Sequence, residues 1–360
     1  MNLQLKYSVP GKKTNTPIYI GKGAFNKIAS IFPFEKYSSV LVIIDKNVAQ
    51  HWSERIYKII GKSASYITIP SGEKNKRLST VEKTWAMLSK KGFDRKSLII
   101  NIGGGMVCDI GAFVASTYMR GIDFIQVPTT LLAQADAAIG GKTGFNFNGL
   151  KNTIGSFSAP LGIISDTTFF STLPKREYHS GFAEIIKHAI ITDGELFKFL
   201  IRKNFSSLNG KELDKVLSLS TYIKCDIVRK DPFEKKERKK LNFGHTVGHA
   251  VEMAYQDSST PLLHGEAIAI GMIAEARISL LSGSLAGEKF RQIETLIRKA
   301  GLPNKVSTTY KNSISKKMLA DKKNVGRQIK WAFLEDLGKI KVDTTVSDKI
   351  VNESLNYILK

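Results

Sequence analysis

Three segments in the second half of the chain carry side chains that could bind a metal ion. In FGHTVGHAVE (243–252), His245 and His249 are four residues apart, so a helix would place both imidazoles on one face, one turn apart. The other candidate ligands, from HSGFAEIIKHA (179–189) and LLHGEAIAIGM (262–272), are Glu184, His188, His264 and Glu266. Two histidines and one carboxylate from separate helices would suit a catalytic zinc ion, which takes three protein ligands and keeps one position open. Spacing does not select the three, because a lone histidine is more often a hydrogen-bonded core or surface residue.

A glycine turn in the first half has the composition of a phosphate-binding loop. In INIGGGMVCD (100–109), three glycines follow a strand-like run and precede a helix, so the backbone could approach an anion at the helix N-terminus. Cys108 stands where the usual dinucleotide fingerprint has its third glycine, so this motif alone is equally consistent with a tight turn. SGEKNK (71–76) and Asp45 follow other strand-like runs. Because ligands of open α/β sheets bind where parallel strands end, these loops together favour a nucleotide.

Two further polar regions suit an anionic substrate. The polar residues of QADAAIGGKTGFNFNGLKNTIGSF (134–157) are Asp136, Lys142, Lys151 and Asn152. They lie among glycines and interspersed apolar residues, which predicts a long, ordered and functional loop. Upstream of the histidine segment are Lys224, Arg238 and Asn242, which would suit a phosphate or a carboxylate. We interpret the neighbouring lysines as solvated surface charge; they are Lys235, Lys236, Lys239 and Lys240.

The elements that must position these residues change in character along the chain. Strand-like runs at 38–45, 65–70, 97–105, 122–130 and 162–166, with a helical segment at 77–92, predict a largely parallel sheet covered by helices. Beyond residue 174, amphipathic segments occur at 181–202, 212–229, 242–256, 264–282 and 286–300, followed by a hairpin at 328–342 and a helix at 347–359. We therefore expect an α/β domain at 1–170 and a mainly helical domain at 171–360.

Composition excludes several classes of protein. Hydrophobic and charged residues make up 42% and 24% of the 360 residues, as in ordinary globular proteins. The N-terminus has no apolar signal-peptide core and no run reaches the length of a transmembrane helix, so we expect no membrane association. Two distant cysteines, Cys108 and Cys225, indicate a reducing cytoplasm. The net charge of +22 is scattered and lacks a nucleic-acid-binding motif, so we expect no specific nucleic acid partner.

Six motifs, in this order and spacing, resemble those of the 3-dehydroquinate synthase family: GGGMVCDIGAFVASTYMRG, QVPTTLLAQADAAIGGKTGFN, KNTIGSF, FAEIIKHA, LNFGHTVGHAVE and LLHGEAIAIGM. The resemblance runs from about residue 40 to residue 330. That family belongs to the sugar phosphate cyclases, which are related in fold to iron- or zinc-dependent alcohol dehydrogenases. The resemblance implies a dehydroquinate synthase-like fold, in which a nucleotide-binding α/β N-terminal domain precedes a mainly α-helical C-terminal domain and the active site lies between them.

The resemblance also implies site residues, motif by motif. The metal ligands would be Glu184, His245 and His264, holding zinc or cobalt. The NAD contacts would be Asp45, Asn47, Ser71, Gly72, Glu73, Lys76, Gly104, Gly105, Asp109, Thr129, Thr130, Lys142, Lys151, Phe169, Phe170, Ser171 and Thr172. The catalytic and substrate contacts would be His249, Asp136, Lys142, Asn152, Lys187, Lys224, Glu234, Arg238, Asn242 and His264, with Lys322 or Lys323. Arg120 would reach into the partner subunit's site, which implies a homodimer.

The implied reaction converts 3-deoxy-D-arabino-heptulosonate 7-phosphate to 3-dehydroquinate with loss of phosphate, in the shikimate route to aromatic compounds. NAD would oxidise C5 of the substrate and be regenerated within the same turnover. Three alternatives stay open. They are a related cyclase for another phosphorylated ketose, a metal-dependent polyol dehydrogenase, and a nucleic-acid-binding protein on a degenerate enzyme fold. Lys224 and Arg238 argue against the first, because they suit a substrate with a carboxylate.

The chain departs from the family pattern before Arg238. Many members have an acidic residue followed by Gly-Leu there, whereas this chain reads Glu234-Lys235-Lys236-Glu237-Arg238. Glu234 and Arg238 keep their places, so we expect a changed loop surface around an unchanged pair of polar side chains.

Overall fold

The first part of the chain forms a seven-stranded sheet, because its short apolar runs pair side by side. A computed structural model describes residues 2–9, 12–148, 150–192, 194–205, 208, 210–319 and 329–360. The strands of this part are β1 (Asn2–Val9), β2 (Lys12–Ile20), β3 (Val40–Asp45), β4 (Ser65–Ile69), β5 (Leu98–Gly103), β6 (Asp123–Pro128), β7 (Lys142–Phe147), β8 (Leu150–Phe157) and β9 (Gly162–Ser165). The sheet order is β1-β2-β9-β6-β5-β3-β4, with β1 antiparallel to β2 and every other neighbouring pair parallel. The predicted parallel sheet is confirmed.

Helices cover both faces of this sheet, which explains why its central strands are apolar at nearly every position. The helices are α1 (Ile28–Ile31), α2 (Lys46–Ile60), α3 (Leu78–Lys90) and α4 (Gly105–Thr117). In β3, Leu41 and Ile43 belong to a core cluster with residues of α3 and α4. Val42 and Ile44, which alternate with them, belong to a second cluster with residues of α1 and α2. A strand buried on both faces thus has no polar face to display.

The prediction of a long loop at 134–157 is wrong. A π-helical turn, Ala133–Ala137, is followed by β7 and β8, which pair as an antiparallel hairpin. Gly144 and Gly155 face each other across the pair, where an added Cβ would lie 2.4 Å and 2.1 Å from backbone oxygens of the opposite strand. The pairing therefore requires glycine at both positions, and glycine weakens the strand signal in the sequence.

The second part is mainly helical, as predicted. Its elements are α5 (Lys175–Thr192), α6 (Glu195–Arg202), α7 (Gly210–Lys230), α8 (His245–Tyr255), α9 (His264–Leu281), α10 (Gly287–Lys299), α11 (Lys311–Leu319), β10 (Trp331–Asp336), β11 (Lys339–Thr344) and α12 (Asp348–Tyr357). The amphipathic segment predicted at 181–202 belongs to two helices, and Gly194 stands at the start of the second. The predicted hairpin is confirmed as β10 and β11.

The chain divides into two units. The first unit contains Met1–Pro174 and Lys224–Phe233, and the second contains Lys175–Ile223 and Glu234–Lys360. The sequence predicted one boundary, at 170–171, and did not anticipate the grouping of 224–233 with the first unit. Within the described residues, none of the helices combines the length and the apolar composition that crossing a bilayer requires.

Asp166, directly after β9, ties distant segments of the first unit together. Its buried carboxylate accepts hydrogen bonds from the backbone N–H groups of Gly23 at 2.8 Å and Phe25 at 3.1 Å, and pairs with Arg55 at 2.9 Å. Burial alone would raise the pKa of Asp166, but hydrogen bonds from Thr168, Gly23 and Phe25 outweigh it and lower the pKa below its ordinary value of 3.8.

We expect Asp166→Asn to destabilise the first unit by roughly 2–4 kcal/mol at neutral pH, because an amide nitrogen cannot accept those hydrogen bonds. The folded-state pKa is lowered, so the stabilisation is fully present above pH 3.8 and is lost as the pH falls through the folded-state value. The urea midpoints of wild type and variant should therefore differ equally at pH 7 and pH 5 and converge below pH 4. Glu54→Gln, at an exposed position of α2, is the control and should leave the midpoint unchanged; an equal effect of both variants would contradict the assignment.

Candidate active site

The predicted NAD contacts of the first unit gather where its parallel strands end. Asp45 ends β3, Ser71, Gly72 and Glu73 follow β4, Gly104 and Gly105 follow β5, Thr129 and Thr130 follow β6, and the turn at 169–172 follows β9. Parallel neighbours end at the same edge of a sheet, so these positions share one edge. The exception is the Phe169 side chain, which lies in the core against Phe25 and Trp52.

Asp45 uses one carboxylate oxygen to begin α2. Its Oδ1 accepts hydrogen bonds from the backbone N–H groups of Asn47 at 2.8 Å and Val48 at 3.0 Å, and from the Ser71 hydroxyl at 3.2 Å. Oδ2 is therefore the oxygen that could accept the hydroxyl groups of a ribose.

The glycine turn leads directly into the N-terminus of α4. Gly104 is the N-cap, and α4 continues for 13 residues, so its first N–H groups are available to an anion. An added Cβ would lie 3.2 Å from Thr130 at Gly104 and 3.3 Å from Ala137 at Gly105. A larger side chain at either position would press against Thr130 or Ala137, so glycine keeps the turn compact in front of these N–H groups.

Lys76 joins the glycine-turn helix to the β7–β8 hairpin. Lys76 is 3% exposed, and its ammonium group donates hydrogen bonds to both Asp109 of α4 and Asn152 of β8. Burial raises the pKa of Asp109, and the Lys76 charge opposes that rise. One cation thus contacts a predicted cofactor residue and a predicted substrate residue at once.

The remaining predicted residues of the first unit are dispersed. Lys142 and Lys151 lie on the hairpin, Lys142 exposed at its first position. Asp136 pairs with Lys224, at the end of α7 that belongs to the first unit. Arg120 is exposed after α4, in a turn where Met119 and Arg120 have positive φ values of 51° and 68°. Non-glycine residues adopt this left-handed conformation at a cost, which surrounding structure must offset.

In the second unit, two histidines converge on one buried carboxylate. Nε2 of His245 (α8) and Nε2 of His264 (α9) lie 3.5 Å and 3.6 Å from Oε1 of Glu184 (α5), which is 1% exposed. Lys187, one turn along α5, pairs with the other oxygen. Burial would raise the pKa of Glu184, but Lys187 and the histidines hold it well below its usual range.

His249 lies beside the same pair. Its ring centroid is 5.1 Å from that of His245 and 5.8 Å from that of His264, and one nitrogen of each of the three rings lies within 4.8 Å of the others. A carboxylate and imidazole nitrogens are the donor set of catalytic zinc sites, so these residues fit a divalent metal ion. The geometry admits either Glu184 or His249 as the third ligand.

The Nδ1 atoms of His245 and His264 also have polar partners. Nδ1 of His264 lies 3.2 Å from Oε2 of Glu252, and Nδ1 of His245 lies 3.2 Å from the carbonyl oxygen of Phe243. Burial would lower the pKa of His264, but Glu252 and Glu184 outweigh it and raise the pKa to about 9. Both rings therefore direct Nε2 toward Glu184.

Glycines allow the three helices to approach closely enough for this convergence. An added Cβ at Gly271 of α9 would lie 2.0 Å from the carbonyl oxygen of Gly244 and 2.5 Å from the backbone nitrogen of Gly248. At Gly265, next to His264, it would lie 1.9 Å from the carbonyl oxygen of Ser180 on α5. All three distances are far below van der Waals contact, so only glycine fits at either position.

Glu266, a candidate metal ligand from the sequence, stabilises the N-terminus of α9 instead. Its carboxylate accepts the N–H of Leu263 at 2.8 Å, which begins α9, and it binds Arg176 of α5 through two hydrogen bonds of 2.7 Å and 2.6 Å. This bidentate pair fixes the N-terminus of α9 against α5. Glu266 thus supports the position of His264, two residues earlier in the sequence.

The remaining predicted residues of the second unit have polar partners nearby. His188 is fully buried, with Nδ1 2.8 Å from the Ser220 hydroxyl. Arg238 is 2% exposed, and the Asn242 amide donates to Glu234 at 2.7 Å. Lys322 and Lys323 lie outside the described residues.

Sequence reasoning missed two carboxylates, Glu252 and Glu275. Glu252 was visible as the last residue of FGHTVGHAVE, three residues after His249, but a helix in isolation does not show that it faces His264. Glu275 accepts the N–H groups of Gly244 at 2.8 Å and Val247 at 3.1 Å. Its partners are about 30 residues away in sequence, and no local pattern reveals them.

Comparison with known proteins agrees with this geometry. The family model described as 3-dehydroquinate synthase N-terminal matches residues 66–180, and that described as 3-dehydroquinate synthase C-terminal matches residues 181–324. A 3-dehydroquinate synthase of Alkaliphilus metalliredigens is 39% identical over 95% of this chain and 96% of its own. One of Parabacteroides distasonis is 36% identical over 89% of this chain and 92% of its own.

Solved structures of related cyclases share the fold. A 2-deoxy-scyllo-inosose synthase complexed with carbaglucose-6-phosphate, NAD+ and Co2+ has a TM-score of 0.88 and 25% identity, covering 99% of both chains. ValA, a 2-epi-5-epi-valiolone synthase from Streptomyces hygroscopicus with NAD+ and Zn2+ bound, has a TM-score of 0.85 and 24% identity, covering 96% of this chain and 97% of its own. With both family models and these relatives in agreement, the chain belongs to the 3-dehydroquinate synthase family.

Proposed function

We propose that the protein is a 3-dehydroquinate synthase, which converts 3-deoxy-D-arabino-heptulosonate 7-phosphate to 3-dehydroquinate and phosphate, using NAD and a divalent metal ion. The observation that carries the proposal is the convergence of His245 and His264 on the buried Glu184 in a chain of this family. NAD+ with Co2+ or Zn2+ in the solved relatives supports the cofactors. We place the enzyme in the cytoplasm, consistent with two buried free cysteines.

We assign NAD to the first unit and the metal ion to the second. The strand-end loops around Asp45, the glycine turn and Lys76 would hold NAD. Glu184, His245 and His264 would hold zinc or cobalt, since both imidazoles direct Nε2 to that carboxylate. When bound, NAD supplies a reversible hydride acceptor and the metal ion acidifies the hydroxyl that is oxidised.

The chain's own residues then bind, orient and move protons. His249 takes the proton of the hydroxyl being oxidised, since imidazole is the side chain whose pKa suits exchange near neutral pH. Lys142 and Asn152 hold the phosphate in place for elimination, together with an Arg120 supplied by a second copy of the chain.

Lys224 and Arg238 bind the substrate carboxylate, and this pair favours the heptulosonate over ketose phosphates that lack one. Asp136, Lys187 and Asn242, with Glu234, would complete the substrate contacts. Each of the first three has a polar partner in the structure: Asp136 pairs with Lys224, Lys187 pairs with Glu184, and the Asn242 amide donates to Glu234.

We expect the purified protein, supplied with NAD and zinc, to release phosphate from the heptulosonate phosphate and form 3-dehydroquinate without net NADH. Phosphate release, product and NADH absorbance are followed together, and a chelator should stop turnover until metal is restored. Steady accumulation of NADH would instead identify a polyol dehydrogenase. Equal turnover of a ketose phosphate without a carboxylate would identify a related cyclase.

We expect His245→Ala and His249→Ala to separate the roles of the two histidines. His245→Ala should lose the metal ion, whereas His249→Ala should retain both metal and NAD and turn over about 10²- to 10⁴-fold more slowly, the usual loss for a proton-transfer group. Metal content by elemental analysis and NAD binding by fluorescence are measured on both variants. Equal loss of metal would make His249 a ligand and contradict the assignment.

We propose further that the enzyme is a homodimer in which Arg120 acts in the partner's active site. Arg120→Ala and His249→Ala should each be nearly inactive, but a mixed dimer contains one site that lacks neither group. Random exchange of subunits should therefore recover about a quarter of wild-type activity. A mixture of His249→Ala with Asn152→Ala, two residues of the same site, is the control and should recover none. Absence of recovery in verified mixed dimers would place Arg120 in its own subunit's site or in none.

A further inference from the structure

The two helices that carry His245 and His264 also carry two carboxylates that the proposed reaction does not use. Glu252 lies on α8, and Glu275 lies on α9; both are buried, at 9% and 3% exposure. The carboxylate of Glu252 contacts α9, and that of Glu275 contacts the N-terminus of α8. Buried carboxylates are costly unless they have polar partners, so their presence at this helix pair calls for a reason.

Glu252 fixes the ring of His264. Its Oε2 lies 3.2 Å from Nδ1 of His264, so Nδ1 donates its proton in a hydrogen bond to the carboxylate, and Nε2 is the nitrogen that would face a metal ion. That Nε2 is the atom 3.6 Å from Glu184. A carboxylate behind a ligating histidine sets its tautomer and orientation and raises its basicity.

Glu275 fixes the start of α8, where His245 is the first helical residue. One oxygen accepts the N–H of Gly244 at 2.8 Å, and the other accepts the N–H of Val247 at 3.1 Å. N–H groups at a helix N-terminus have no acceptor within the helix, and a negative charge there is favourable. Gly244 has a left-handed φ of 80°, so this contact also holds the turn from which His245 leaves.

We propose that Glu252 and Glu275 are reciprocal positioning residues for the metal site, each holding the histidine of the opposite helix: Glu252 of α8 orients His264 of α9, and Glu275 of α9 sets the position of His245 of α8. The inference rests on the proposed metal site. It adds that the site is preorganised by these two carboxylates, which do not themselves bind the metal ion.

The test uses the full-length enzyme stripped of metal and reloaded with Zn2+ or Co2+. Glu252→Gln keeps an acceptor for Nδ1 without the charge, Glu252→Met removes the acceptor, and Glu275→Gln places an amide nitrogen against a backbone N–H. Glu294→Gln is the matched control, because Glu294 also accepts a hydrogen bond in the second unit, from Tyr357 at 2.7 Å rather than from a histidine. Metal dissociation constants are measured by competition with a chromophoric chelator, and ligand geometry by the visible spectrum of the Co2+ form.

We expect metal affinity to fall about 10- to 100-fold in Glu252→Met and Glu275→Gln, and less in Glu252→Gln, the range found when partners of metal-bound histidines are removed. The Co2+ spectrum should change in the first two variants and be preserved in Glu294→Gln. NAD affinity and circular dichroism should be those of wild type throughout, which separates loss of position from loss of fold. If Glu275→Gln does not fold, Glu275→Asp, which keeps the charge and withdraws it by one methylene, replaces it.

Unchanged metal affinity and an unchanged Co2+ spectrum in folded Glu252→Met and Glu275 variants would overturn the inference and leave the proposed function intact. Failure of the wild type itself to bind Zn2+ or Co2+, or retention of metal by His264→Ala, would instead overturn the proposed metal site. The two failures are therefore distinguishable within one set of measurements.

Discussion

The burial of one ionised carboxylate governs the architecture of the second unit. Removing a charged group such as Glu184 from water costs several kcal/mol unless other groups replace the solvent. Lys187 and the two imidazoles replace it, and they reach it only because α8 and α9 approach each other and α9 approaches α5. The electrostatic stabilisation of Glu184 therefore requires glycine at 265 and 271, because a methyl group at either position would push the helices apart and separate the charges from their partners.

Most of the fold follows from patterns that are local in the sequence. The continuous apolar runs of β3 and β5 predict strands buried on both faces, and helical periodicity predicts the helices of the second half. Elements that lack such a pattern cannot be predicted from the sequence. For β1, the sequence offers only the alternation of Leu3, Leu5 and Tyr7, and in β7 and β8 the glycines weaken the strand pattern. Residues 224–233 join the first unit through contacts that are distant in sequence.

The site could be predicted as a set of residues but not as a set of contacts. His245, His264 and Glu184 stand in recognisable motifs, and the structure brings them together. Glu266 stands in the same motif as His264, but its carboxylate accepts hydrogen bonds at the N-terminus of α9 and from Arg176. The partners Glu252 and Glu275 depend on how α8 and α9 pack, and Lys76 reaches Asn152 only because the hairpin folds onto α4. Residue types determine which chemistry is available, whereas packing determines which of the available groups perform it.

The position of β9 in the sheet has a consequence for the order in which the first unit is assembled. β2 pairs with β9, and Gly23 bonds to Asp166, 143 residues later in the sequence. During synthesis, β2 therefore emerges from the ribosome long before its parallel neighbour exists, while β3, β4 and β5 can already pair with one another. Contacts this distant in sequence close late because the loop entropy must be overcome first. We therefore expect the N-terminal strands to join the sheet last, and a chain that ends before β9 would leave the β6 edge unpaired.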